Sequence, residues 1–399
     1  FWLKLARRVF PRAEPLSPPE PPRARPARAT GRRPCTTARL AASPLAAPRM
    51  AGGGGGYEMG LYEYCDGEYT EVDVSVAQEW AQDVVMYVHG WQRGAFNSGP
   101  DSFVTPSQVY GEARDVSLPW TRAGYRVLCF LWVPFADEDD LAAAEQKIWS
   151  SGPDGVQRRR RPDGGFVEAS HVGDVGTAAA EAYRGIAALA PRICLVGHSL
   201  GCQVVGRVLE LLLAGVPSSG RPGVALPLRV VLLDPYFSNF GKSYLGGQWT
   251  GERVREAVRL AAEAGCAVEQ IASSTVLENW LSDSNVELRF HTAYFVLRPE
   301  FIKLAFGVRD IEVLADRHSH ARYAYFASLD APCGGGGPRE GQVRGLAGRA
   351  DADVRRMMTS ESHWVQAEGA DRWDPTEFIF ERRAGSASRV RPPGPTQYA

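Results

Sequence analysis

Residues 192–213 read Arg-Ile-Cys-Leu-Val-Gly-His-Ser-Leu-Gly-Cys-Gln-Val-Val-Gly-Arg-Val-Leu-Glu-Leu-Leu-Leu. An apolar run, a Gly-x-Ser-x-Gly pentapeptide (Gly197–Gly201) and a second apolar run follow one another without a spacer. The stretch Ile193–Val196 has the unbroken apolar character of a strand buried on both faces. A helix directly after it forces the chain to reverse inside the pentapeptide, with Ser199 at the apex. Gly197 and Gly201 carry no Cβ, so the backbone can fold back closely on either side of the serine. The hydroxyl is pushed beyond the strand end, and the helix aims unpaired N–H groups at whatever binds above it. The pentapeptide alone is a weak signal; its strand–turn–helix setting gives it meaning. The plainer alternative is a glycine-rich turn whose serine only caps the helix.

The flanking sequence alternates. The segments Gln82–His89, Tyr125–Trp132, Pro227–Asp234 and Ala267–Ile271 read as strands, as does Leu288–Leu297. Asp137–Trp149, Ser170–Ala188 and Glu252–Ala264 read as helices, the last stopped by Gly265. Strands alternating with helices predict an α/β fold with a mostly parallel central sheet flanked by helices. Ligands of such sheets bind beyond the carboxyl ends of the strands. The loops after His89, Ser199 and Asp234 all fall there.

Composition sets limits on this reading. The 399 residues are 44% hydrophobic and 23% charged, ordinary for a globular chain. No apolar run reaches the roughly 18 residues of a membrane span. The net charge of −1 gives no basis for nucleic-acid binding, although residues 1–50 carry Lys4 and ten arginines against Glu14 and Glu20. Residues 1–56 are rich in Pro, Ala and Arg and close on Gly52–Gly56, which predicts a disordered basic extension. An organellar transit peptide would share its arginine-rich, acid-poor character. The seven cysteines are odd in number and lack metal-ligand spacing. They read as thiols in a reducing, intracellular compartment, cytoplasmic or organellar, with no metal site.

Three further segments carry chemistry. Tyr87-Val88-His89-Gly90-Trp91 ends the first clear strand, where Gly90 lets the backbone turn N–H groups inward. Acyl transfer needs such donors where negative charge develops on a carbonyl oxygen. The N–H groups of Trp91 and Leu200 are the candidates, with His89 fixing the loop. Next, Leu232-Leu233-Asp234-Pro235 places a carboxylate at a strand end, where burial without a partner would be costly; a histidine would offset that cost and be oriented in return. Asp283 is the reserve acid. A base must then come from His291, His318, His320 or His363. His291 sits in a predicted strand and reads as a core residue, and His363 lies in a segment of uncertain structure. His318 and His320 open a helix with an aromatic face, and two residues apart they point roughly 200° from each other.

These residues together resemble the lipase branch of the α/β-hydrolases, the group that includes pancreatic lipase and related phospholipases. The likeness rests on His89-Gly90-Trp91, Gly197-His198-Ser199-Leu200-Gly201, Leu233-Asp234-Pro235, and Ser319-His320-Ala321-Arg322 leading into Tyr325-Phe326. It covers roughly residues 82–330. The resemblance implies the α/β-hydrolase fold, with Ser199 as nucleophile, Asp234 as acid and His320 as base; His318 stays open as the alternative base. It implies a serine hydrolase cleaving carboxylic esters, with lipid esters favoured and no cofactor. A thioesterase or acyltransferase with the same triad, or a non-catalytic binding scaffold on this fold, is the alternative. The domain expected is 57–332, followed by a small accessory segment over 333–383 and a disordered tail over 384–399. Arg158–Arg161 read as a solvated loop or, more sharply, as a lid edge or headgroup site on a membrane or lipid surface.

Overall fold

The computed structural model describes residues 57–75, 79–152, 157–161, 163–169, 173–215, 225–274, 282–302, 310–330, 339–358 and 361–384. The expected basic extension and the tail beyond 384 lie outside the described residues. Thirteen strands are present among them: β1 Gly60–Cys65, β2 Glu68–Glu71, β3 Val84–Val88, β4 Arg126–Leu131, β5 Gln157–Arg160, β6 Phe166–Ala169, β7 Ile193–His198, β8 Arg229–Leu233, β9 Ala267–Ala272, β10 Ala293–Val296, β11 Gln342–Arg344, β12 Ser362–Glu368 and β13 Ile379–Ala384. The longer helices are α1 Leu141–Trp149, α2 Val175–Ala187, α3 Gly201–Ala214, α4 Thr250–Glu263, α5 Asp310–Ala327 and α6 Asp351–Met358.

Eleven strands form one sheet in the order β11-β13-β12-β10-β9-β8-β7-β3-β4-β1-β2. The seven strands from β12 to β4 run parallel, and antiparallel hairpins close both edges. The α/β class and the mostly parallel sheet expected from the alternating pattern are therefore present. Every residue of β3, β7, β8 and β9 is buried. That is why β3, β7 and β8 read as nearly continuous apolar runs and not as alternating ones, whereas β9 buries Glu269 and Gln270 in its middle.

The order of connection matters for function. From β3 the chain steps outward to β4, then crosses back to lay β7 on the other side of β3, and continues through β8 and β9. The direction of winding thus reverses between β3 and β7. A crevice opens at such a switch point beyond the strand ends. Register places Val88 beside Gly197, His198 beside Leu233, and Leu233 beside Ile271. The carboxyl ends of β3, β7, β8 and β9 accordingly line up at one place.

Two stretches differ from the expectation. Leu288–Leu297 is not one strand. Asn285 enters the left-handed region (φ 42°) and starts a 3-10 turn over Val286–His291, so only Ala293–Val296 pairs with the sheet. His291 is thereby half-buried on the turn and not a core residue. Residues 339–384 supply β11, β12 and β13, which extend the main sheet at its β10 edge. Arg158–Arg161 run through a separate two-stranded hairpin, β5–β6. Three of its guanidiniums are engaged within the protein: Arg159 with Glu58, Arg160 with Asp137, and Arg161 with Asp163. Arg158 stacks on Phe166.

Candidate active site

Ser199 stands between β7 and α3 with φ 57°, a left-handed value that few non-glycine residues adopt. The turn is tight enough to dictate its glycines. A Cβ on Gly197 would lie 2.6 Å from the Gly201 carbonyl oxygen, and a Cβ on Gly201 would lie 2.2 Å from the Val88 oxygen. Two backbone bonds hold the turn: Ser199 N–H donates to the Leu233 carbonyl at 3.0 Å, and Cys202 N–H donates to the Ser199 carbonyl at 3.1 Å. A strained backbone kept in place by its surroundings is a common mark of a working site.

The loop after β3 meets this serine directly. A Cβ on Gly90 would come within 2.6 Å of Ser199 Cβ and 3.1 Å of Ser199 Oγ. Only a residue without a side chain fits there. His89, fully buried, fastens the loop from below. Its Nε2 accepts the Trp132 N–H at 3.0 Å, its Nδ1 meets the Gly90 carbonyl at 2.8 Å, and its own carbonyl accepts Trp132 Nε1–H at 2.8 Å. Burial pushes the His89 imidazole down to about 4, so it is neutral near pH 7. It then carries its proton on Nδ1. The expectation that His89 fixes the loop matches this geometry. The backbone N–H groups of Trp91 and Leu200 have no hydrogen-bond partner among the described residues.

Asp234, immediately after β8, also adopts a left-handed backbone (φ 41°) and is almost wholly buried. Its Oδ2 faces His318 Nδ1 at 2.7 Å. Ser274 Oγ donates to the same oxygen, and the Ser273 and Ser274 N–H groups donate to Oδ1 at 2.9 and 3.3 Å. Burial alone would raise this carboxyl. The bonds from His318, Ser274 and Ser273 outweigh it and hold Asp234 below the usual carboxylate range. With Nδ1–H donated to Asp234, the neutral His318 ring carries its lone pair on Nε2.

His320, expected to be the histidine on Asp234, is not. It points into an aromatic nest where its Nδ1 meets Tyr110 OH at 3.1 Å, and rings of Phe301, Tyr323 and Trp373 surround the Tyr110–His320 pair. Its Nε2 is buried with no partner among the described residues, and burial pushes its imidazole down to about 3. The physical reason is helix phase. In α5, residues two apart face away from each other, and the side facing β8 and β9 belongs to His318. The reserve acid Asp283 does not meet these histidines either. Its Oδ1 accepts the Asn285 N–H, and its Oδ2 fills the space beside Gly251 in the first turn of α4. His291 lies on the 3-10 turn and His363 on β12.

Several contributors were not read from the sequence. His198 Nε2 donates to the His318 carbonyl at 3.0 Å, and its ring lies 4.7 Å from that of His318. Burial, reinforced by His318, pushes His198 down to about 3. Ser273 Oγ donates to the Arg317 carbonyl at 2.6 Å and accepts the Ala321 N–H at 3.1 Å, bridging one turn of α5 around His318. A Ser-Ser pair at the carboxyl end of a strand was the available signal. Glu145 of α1, fully buried, accepts from Gln203 Nε2, Ser238 N–H, Ser238 Oγ and Tyr244 OH at 2.6–3.2 Å. It thereby shapes the loop that follows Asp234. Arg322, named in the sequence likeness, does not touch Ser199, Asp234 or His318. Buried itself, it pairs with the partly exposed Asp101, whose Oδ2 also accepts Tyr87 OH at 3.0 Å.

The chemistry open to this arrangement is nucleophilic. A nearly buried serine at positive φ, an imidazole held by a carboxylate, and two backbone N–H groups lie at the strand ends around one switch point; among the described residues no hydrogen bond joins Ser199 to His318. No family model and no curated protein matches the chain. Among solved structures, an iron-lacking apo form of ESTFA is similar at 15% identity and a TM-score of 0.21, over 49% of this chain. The chain spans 52% of the length of that protein. TT1662 from Thermus thermophilus is similar at 15% identity and a TM-score of 0.29, over 64% of this chain and 92% of its own. The fold described above rests on the chain's own topology.

Proposed function

We propose that the protein is a serine hydrolase of the α/β-hydrolase type that cleaves carboxylic esters, with Ser199 as nucleophile, His318 as base and Asp234 as acid. The observation that carries this reading is the Asp234–His318 pair at 2.7 Å, set at the strand ends beside a serine held at positive φ. In this reading Ser199 Oγ attacks the ester carbonyl and His318 Nε2 takes its proton. Asp234 keeps the imidazole in the right tautomer and steadies the imidazolium. The Trp91 and Leu200 N–H groups receive the charge on the carbonyl oxygen. Collapse of that tetrahedral intermediate expels the alcohol, which leaves with the proton held by His318. His318 then takes a proton from water as the water attacks the acyl-enzyme, and Ser199 recovers that proton as the acid is released.

Apolar, lipid-type esters are the favoured substrates, and a lipid surface the favoured contact. Support comes from the loop after β8, which begins beside the elbow with Tyr236 N–H on the Ser199 carbonyl at 3.4 Å. This loop presents Phe240 at φ 71° with 71% of its surface exposed, beside Trp249. A bulky residue held outward at positive φ has a cost that function can explain. The test is labelling by a fluorophosphonate probe together with hydrolysis of p-nitrophenyl butyrate and of a longer acyl ester. Wild type should label and turn over both, and Ser199→Ala should do neither. Equal labelling of Ser199→Ala would end the proposal. A strong preference for the short ester would remove its lipid part alone.

A further inference from the structure

The loop that carries Gly90 and Trp91 is held by one neighbouring segment, residues 132–138. Trp132 donates twice to His89, from its backbone N–H and from Nε1–H. Gln92 N–H donates to the Ala136 carbonyl at 3.4 Å, and Trp91 Nε1–H donates to the Glu138 carbonyl at 2.7 Å. Between these anchors lies Asp137, a carboxylate 1% exposed. Its Oδ1 accepts the Gly94 N–H at 2.7 Å and its Oδ2 accepts the Phe96 N–H at 2.9 Å. The acceptors are thus divided, one oxygen to each side of the left-handed Gly94–Ala95 corner (Gly94 φ 87°). Arg160, on the β5–β6 hairpin, compensates the buried charge, with Nε 3.3 Å from Oδ1 and a bond of 2.7 Å to the Asp137 carbonyl.

A bare loop could make its own turn bonds. This one makes turn bonds, with Ala95 N–H on the Gln92 carbonyl at 3.1 Å, and in addition sets a buried carboxylate on two backbone donors a few residues beyond the site. Charge-assisted bonds to a buried carboxylate are strong and directional. They fix the path of the backbone just past Trp91. Stabilising a developing oxyanion depends on donors that are already in place and need not reorganise.

We infer that Asp137 is a positioning residue for the oxyanion-binding loop, and that Arg160 couples the β5–β6 hairpin to that loop through it. The inference rests on the serine-hydrolase reading above. It predicts a defect confined to the transition state. Asp137→Asn keeps the volume but replaces one acceptor oxygen with an NH2 group that opposes a backbone N–H. Turnover of p-nitrophenyl butyrate per fluorophosphonate-labelled site should fall roughly tenfold, a fraction of the 10²–10³ typical for losing an oxyanion donor itself. KM should stay within about twofold. Affinity for an alkyl trifluoromethyl ketone, which forms a tetrahedral oxyanion on the serine, should fall by the same factor as turnover. Amide hydrogen exchange at Gly94 and Phe96 should speed up. A general weakening of the fold would instead lower the labelled fraction and leave turnover per labelled site unchanged, which overturns the inference. So would unchanged ketone affinity. If Asp137→Asn does not fold, Arg160→Met carries the test, since it leaves both acceptors but removes their charge partner; ketone affinity lowered at least threefold supports the inference, and unchanged affinity overturns it. Failure of wild type to label with the fluorophosphonate would bring down the hydrolase reading itself, and this inference with it.

Discussion

At the scale of single residues, α5 sets His318 and His320 two positions apart, and their surroundings give them opposite chemistry. His318 is held on three sides: by Asp234 on its Nδ1, by His198 on its carbonyl, and by the Ser273 bridge across the turn that contains it. His320 is walled in by aromatic rings. His318→Ala is therefore expected to lower turnover by three or more orders of magnitude without a matching loss of stability, as removing a triad base does. His320→Ala should leave proton transfer intact but cost about 2–4 kcal/mol, because it empties a fully buried ring site. Turnover per labelled site and the urea midpoint separate the two; wild-type turnover in His318→Ala would end the assignment. Ser199 and Asp234 were legible because each terminates an apolar strand with a residue that needs a reason to be there. The choice between His318 and His320 was not. It depends on the phase of one helix against β8 and β9, and that phase is set by distant packing partners.

At the scale of elements, the elbow and the loop after β3 are shaped by close backbone approach, which makes glycine substitutions informative in two ways. At Gly201 a Cβ would meet the Val88 carbonyl at 2.2 Å, an atom fixed inside the sheet. Gly201→Ala should therefore destabilise the fold by at least the ~1–3 kcal/mol typical of overpacking. At Gly90 the Cβ would meet Ser199 Cβ at 2.6 Å and the His198 carbonyl at 3.0 Å, so Gly90→Ala should shift the serine and lower turnover per labelled site, with a loss of stability beside it. A Gly90→Ala protein with normal turnover per labelled site would show that the serine has room to spare. The strand–turn–helix unit was readable because its signals are local: glycine spacing, an apolar run, a helix start. The 3-10 turn over Val286–His291 hid for the converse reason. Its residues alternate plausibly for a strand, and only Asn285 in the left-handed region breaks the pattern. β11–β13 take their place in the sheet through β12, which pairs with β10, and local sequence does not record that pairing.

At the scale of the whole molecule, the site is assembled on buried polar groups that must keep their charge states. Arg322 of α5 pairs with Asp101 beyond β3, locking the helix that carries His318 to the sheet. Burial alone would raise Asp101, but the guanidinium outweighs it and holds the carboxyl far below its usual range. Three histidines are buried and neutral: His89 at about 4, His198 at about 3 and His320 at about 3, each pushed down chiefly by burial. In the unfolded chain a histidine takes up its proton near pH 6.5. Between that value and the folded values, the unfolded state binds more protons than the native one. Stability must then rise with pH across the interval and be lost as pH falls through it. Asp234 and Asp101 act lower down: their depressed values stabilise the fold above the ordinary carboxylate range and stop doing so as pH falls through the folded values. The urea midpoint should thus be level between pH 8 and 7 and decline steadily from about 6.5 towards 4. The limiting slope is about 4 kcal/mol per pH unit if all three histidines contribute fully. His320→Phe keeps a ring among Tyr110, Phe301 and Trp373 while removing one of the three protons. It should flatten the decline by about one third and leave the midpoint at pH 8 nearly unchanged. A wild-type midpoint that stays constant from pH 7 to 5 would mean that these imidazoles do not enter the fold neutral.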